Sequence, residues 1–248
     1  MDVQFSSIPF LIAGLFGFTA WLALRAERFG SITAGQQFAV WAVLAALLAW
    51  TVLSAYLASS GTYLTLGFLQ WLPGLWLPLI PFTIVAIALA ASSGLHHALM
   101  GILDVTPPQW LVLLQAVRIS AAGTLIKTLQ GDFPLYFELG VGIPDLLFGF
   151  SALAIAWAVS SGRIGWRGLA VWNLVGFAVV ALPAVLLAQM GLPGPMQVFH
   201  GPPASEVLLV YPMALAPTVV VPFFLMLNLW AAIWLFIRRP DIRSAHKA

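Results

Sequence analysis

Seven stretches of this chain stay apolar for about twenty residues, the length a helix needs to cross a bilayer. They cover roughly 8–24, 38–57, 72–91, 110–129, 133–160, 168–190 and 207–237. The last is long enough to tilt or to project from the bilayer. Only 7% of the residues are charged and 62% are hydrophobic, against about 25% charged in a soluble domain. The expected fold is therefore all-α: a polytopic transmembrane bundle of seven spans, forming one integral membrane domain over residues 1–248. The 11 Trp and 17 Phe suit helices anchored by rings at the membrane interfaces. No Lys or Arg precedes the first run, so 8–24 reads as a retained helix rather than a cleaved signal.

The basic residues set the expected direction. Arg25 and Arg28 follow the first run, Arg163 and Arg167 the fifth, and Arg238, Arg239, Arg243 and Lys247 the seventh. Seven spans put all eight on one side, leaving Lys127 on the other and Arg118 inside the membrane. The positive-inside rule then places the C-terminus in the cytoplasm and the N-terminus outside. The net charge of +2 and the pI near 9.3 reflect this topology, so no nucleic-acid partner is expected. The segments 61–74 and 191–206 read as an aromatic interfacial stretch and a Pro/Gly-rich loop, both on the outer side.

Two charges fall in the middle of apolar runs, Arg118 in the fourth and Asp145 in the fifth. An isolated charge there costs about 2.5–3.5 kcal/mol on insertion scales. The turn between the two runs is Gln130–Gly131–Asp132. In an antiparallel hairpin, residues whose numbers share one sum lie level. The sums for Arg118 with Asp145 and for Lys127 with Glu138 differ by only two, so both pairs are level to within about one helical rise of ~1.5 Å. Helical angles favour the first pair. Glu138 and Asp145 share a face, whereas Arg118 and Lys127 lie on opposite faces, and Lys127 can snorkel to the outer interface. Glu138, Gly142, Asp145 and Gly149 form one stripe of acids and glycines, suited to close helix approach. Pro144 should kink the fifth helix beside Asp145, and Gln115 adds an amide one turn before Arg118.

These residues carry a resemblance. Gln115-x2-Arg118, then Gly131-x2-Pro134-x2-Phe137-x4-Gly142-x2-Asp145-x3-Gly149, resembles a family of small bacterial polytopic membrane proteins that is usually left uncharacterised. The likeness covers residues 115–149, with Ala121 where the family pattern has glycine. It implies a bacterial inner-membrane protein whose hairpin matters, and brings no activity, substrate or cofactor.

Other chemistry is sparse. The absence of cysteine excludes disulfides, thiolate metal sites and cysteine nucleophiles. His96 and His97 follow the third run, with Asp104 nearby. Adjacent histidines point about 100° apart on a helix and make a poor metal pair, so no metal site is expected. Asn173 and Asn228 are secondary polar candidates, able to hydrogen-bond across helices or to extend the polar site. Pro73, Pro78 and Pro81, and again Pro212, Pro217 and Pro222, should bend the third and seventh helices. The seventh run has no lysine for a retinal Schiff base.

The leading expectation is transport or permeation of protons, ions or a small solute, through a site lined by Gln115, Arg118, Glu138 and Asp145. Two rivals stand beside it. One is a non-catalytic subunit or scaffold that binds a membrane partner or a second copy of itself. The other is a membrane enzyme with Asp145 or Glu138 as acid/base, ranked last because no nucleophile or metal-ligand set accompanies the carboxylates.

Overall fold

The computed structural model describes residues 6–242; Arg243 and Lys247 of the topology argument lie outside them. All regular structure among the described residues is helical. Twelve α-segments follow one another: α1 (Ile8–Arg28), α2 (Ala34–Ser59), α3 (Leu66–Leu69), α4 (Pro73–Trp76), α5 (Ile80–Ala91), α6 (Ser93–Val105), α7 (Pro108–Gln115), α8 (Ala122–Gln130), α9 (Leu135–Phe137), α10 (Ile143–Ser160), α11 (Trp166–Met190) and α12 (Val221–Arg238). Seven helical stretches are long and apolar enough to cross a membrane: Ile8–Arg28, Ala34–Ser59, Pro73–Ala91, Pro108–Gln130, Leu135–Ser160, Trp166–Met190 and Ala216–Arg238. The chain is thus a multi-pass membrane protein. Large apolar side chains such as Phe38, Ile87, Leu129 and Leu182 stand on the outside of these helices, where lipid rather than water would cover them.

Local chemistry explains the helix ends. Thr33 and Gln36 open α2 with a reciprocal capping box: the Gln36 N–H donates to Thr33 Oγ1 at 3.3 Å, and the Thr33 N–H donates to Gln36 Oε1 at 2.8 Å. Gly131, at φ +82°, closes α8 at the tip of the hairpin. The seventh span departs from expectation by starting at Ala216 rather than near residue 207. Ser205–Leu209 is a 3₁₀ turn and Val210 is extended. Tyr211 precedes Pro212, whose ring disfavours the helical region for the residue before it. Pro212 therefore lies ahead of the helix instead of bending it, and Pro217 sits in the first turn, where its missing N–H is not needed. In the third span Pro78 and Pro81 fall where winding changes, through the 3₁₀ turn Leu77–Leu79.

The chain divides into two compact units. One holds the chain up to Ile102 together with Ala188–Phe223. Its core gathers Ala58, Tyr63, Leu69, Leu77, Leu192, Leu209 and Ala214. The Tyr63 hydroxyl donates to Ser54 Oγ at 3.1 Å, and Ser54 shares a 2.8 Å hydrogen bond with Thr218 Oγ1. The Trp50 indole donates to Thr218 O at 2.9 Å. Burial pushes the Tyr63 pKa up, against the opposing pull of Ser54. The other unit holds Leu103–Leu187 and the chain from Phe224, and contains the hairpin.

Candidate functional site

Both helices of the hairpin change winding where their charged residues sit. The fourth span tightens into a 3₁₀ stretch at Ala116–Ala121, which carries Arg118. The fifth widens into a π-turn at Glu138–Gly142, followed by Pro144 and Asp145 in the first turn of α10. Such interruptions inside long helices recur at hinges and functional sites.

Arg118 and Asp145 form the expected ion pair: Nε of the guanidinium donates to Asp145 Oδ1, and Nη2 stands against the same oxygen. The Arg118 side chain is only 2% exposed and that of Asp145 is 17% exposed. The remaining Arg118 nitrogen, Nη1, donates to Gly176 O on α11 at 3.1 Å and reaches Gln115 Oε1 at 3.4 Å. The guanidinium also lies 4.5 Å from the centroid of the Phe148 ring. Phe148 in turn stacks on Trp172, at 4.5 Å and 18° between planes, and the Trp172 indole donates to Ser151 Oγ at 3.0 Å. A desolvated cation over a ring is worth about 2 kcal/mol. Gly176 makes this possible, because a Cβ there would run into the Phe148 ring. Gly149 brings the two spans together: a Cβ on it would stand 2.8 Å from Ile119 N and 3.0 Å from Arg118 C. Phe148, Trp172 and Gly176 were not among the expected site residues. Each is an ordinary apolar-helix residue, and only the fold reveals its role.

Glu138 stands apart. It is fully buried, and neither carboxylate oxygen has a hydrogen-bond partner. Its side chain folds along its own helix into the space left by Gly142, whose Cβ would collide with it. Thr124 is a polar neighbour, but its hydroxyl donates to Ala121 O at 2.7 Å. Glu138 forms no ion pair with Lys127, which is half-buried in the last turn of α8. The π-turn changes the rotation between Glu138 and Asp145 by about one residue, roughly 100°, yet the Asp145 charge still acts on Glu138.

The secondary candidates separate as well. Asn173 is satisfied within its own helix, its Nδ2 donating to Leu169 O at 2.9 Å. Asn228 is fully buried with neither amide atom bonded. Gln115 Nε2 is likewise buried without a partner. The His96 and His97 rings meet edge to face at 5.9 Å, and His97 Nδ1 lies 2.8 Å from Ser93 O. No group of three or more His, Cys, Asp or Glu that could hold a metal occurs among the described residues. Asp104, read beside the histidines in the sequence, instead accepts from the Trp234 indole at 2.8 Å and from Arg238 Nη2 at 2.7 Å.

Searches of curated proteins and of solved structures returned no match. A family model matches residues 77–236, which is more than half of the chain and includes the whole hairpin. The chain belongs to the family described as Domain of unknown function (DUF8737).

Proposed function

We propose that this protein passes protons across the membrane through the hairpin of its fourth and fifth spans, with Glu138 as the exchangeable site and Arg118–Asp145 as a fixed charge pair. One observation carries the reading: a carboxyl group fully buried in a spanning helix, with neither oxygen hydrogen-bonded. As a bare carboxylate it would cost several kcal/mol, and a bound proton removes that cost. Asp145 is held by Arg118 and is the poorer carrier. Packing argues against a larger cargo, since the spans touch backbone to backbone at Gly149. The proposal sets the protein in a bacterial inner membrane, with the N-terminus outside and the C-terminus in the cytoplasm.

Reconstitution into liposomes with an internal pH-sensitive dye and an imposed membrane potential tests this. The wild-type protein should pass protons well above empty liposomes. Glu138→Gln should lose about a hundredfold or more, the range for removing a proton-transfer group, and Glu138→Asp should keep part of the flux. Wild-type flux no greater than that of empty liposomes, or unchanged flux in a folded Glu138→Gln variant, would refute the reading. A second reading, a subunit that docks a partner helix or a second copy, draws on Leu139, Leu147, Phe150, Leu153 and Trp157, which are all exposed along the fifth span. Co-purification of a partner or a dimer in mild detergent supports it, and a monomer of 26.7 kDa opposes it.

A further inference from the structure

At the other end of the fifth span lies a cleft of about 580 Å³, lined by Arg163 to Gly168 and by Arg239 to Ile242. It joins the turn between the fifth and sixth spans to the end of the seventh, the regions whose arginines the positive-inside rule assigns to the cytoplasmic side. Its volume is within the range of small-molecule sites.

The arginines of this cleft differ from their neighbour. Arg238 is neutralised by Asp104 at 2.7 Å. Arg163, Arg167 and Arg239 have no acidic partner among the described residues. They lie instead over aromatic rings: Arg163 at 4.2 Å from Trp157, Arg167 at 5.2 Å and Arg239 at 5.8 Å from the one Trp166 ring. Two like charges over a single ring repel, and an anion between them relieves the repulsion. A guanidinium resting on a ring face can still present its terminal N–H groups, in the planar fork that matches phosphate oxygens; Arg239 uses only its Nε, which donates to Phe236 O at 3.4 Å. Trp166, Arg167 and Gly168 also open α11, whose first-turn amides favour negative charge. Asp241, the carboxylate in the lining, has a partner of its own.

We infer that this cleft binds a phosphate group, and that its source is the phosphodiester of an anionic phospholipid in the adjoining leaflet. Trp157, Trp166 and Phe236 place aromatic rings at the same end of the spans, as at a membrane interface, and the Trp166 ring meets Phe236 at 6.0 Å. Clustered arginines at the end of a span draw anionic headgroups.

Native mass spectrometry of the detergent-solubilised full chain tests the assignment. The probes are phosphatidylglycerol and phosphatidylcholine with identical acyl chains. The wild-type protein should retain phosphatidylglycerol at about a tenfold lower lipid concentration, a modest expectation for three arginines near an anionic lipid. Arg163→Gln/Arg167→Gln/Arg239→Gln should lose that preference. Arg25→Gln/Arg28→Gln, which removes two positive charges from another turn, should keep it. Should the triple variant fail to fold, Arg167→Gln and Arg239→Gln singly should each lose part of the preference, and Arg167→Lys should restore some of it. Inorganic phosphate separates the two sources. Displacement of the lipid by millimolar phosphate would make a soluble phosphate the ligand and keep the anion site; no displacement assigns the site to the lipid. Equal retention of both lipids by the wild-type protein overturns the inference. So does a preference that survives in folded Arg-to-Gln variants, or an equal loss in the Arg25/Arg28 control.

Discussion

At the residue scale the Arg118–Asp145 pair is defined by what surrounds it. Arg118 donates through Nε to Asp145 and through Nη1 to Gly176 and Gln115, its Nη2 stands against Asp145, and the guanidinium lies over the Phe148 ring. Removing one partner leaves a buried charge alone, which typically costs about 3–5 kcal/mol. Asp145→Leu is therefore expected to lower the thermal midpoint in detergent sharply. Arg118→Met/Asp145→Leu together should recover most of the loss, because well-packed apolar replacements of buried pairs are often neutral. Glu138 behaves oppositely. Its carboxyl has no partner to lose, so Glu138→Gln should leave that midpoint nearly unchanged even where flux disappears. Tyr63→Phe gives a scale for an ordinary buried hydrogen bond, with an expected cost of about 1 kcal/mol through the lost contact with Ser54.

Elements explain why only part of the site was legible beforehand. The length of the apolar runs and their spacing around Gly131 were enough to find the spans and to put Arg118 opposite Asp145. Depth depends only on residue count along two antiparallel helices. Face depends on every intervening turn being α-helical, and here it is not. The 3₁₀ stretch at Ala116–Ala121 and the π-turn at Glu138–Gly142 each shift the faces beyond them. No residue pattern in either stretch announces the change in winding. The glycines of the hairpin also differ more than their shared residue type suggests. Gly149→Ala forces a Cβ against the backbone of the fourth span, and about 1–3 kcal/mol of destabilisation is expected. Gly123→Ala, in α8, meets open space and should be neutral or stabilise by up to about 1 kcal/mol. Comparing the two thermal midpoints in one detergent checks both.

For the whole molecule the absence of cysteine is an experimental advantage. Ser60 and Ser161 are both exposed, in the turns after the second and fifth spans, and seven spans put those turns on opposite sides of the membrane. With single cysteines at these places and a membrane-impermeant maleimide applied to intact cells, Ser60→Cys should react and Ser161→Cys should react only after lysis. The reverse pattern would invert the topology, and labelling of both would break the span count. The Arg238–Asp104 pair, exposed at the end of the seventh span, should matter little to stability. Asp104→Asn is expected to cost no more than about 1 kcal/mol and less in high salt, since exposed pairs are screened. Its partners sit 130 and 134 residues away in the chain, a separation at which no local pattern could have paired them.

The π-turn of the fifth span acts like a dislocation in a crystal. It holds one residue more than the regular lattice of hydrogen bonds accommodates, and such a fault can glide along the helix by exchanging those bonds one at a time. Pro144, which has no N–H to exchange, blocks the glide on one side, and Pro134, just before α9, marks the other. Between these two stops the extra residue sits beside Gly142, where the missing side chain leaves room for the Glu138 carboxyl, while the Arg118–Asp145 pair ties the span to its neighbour.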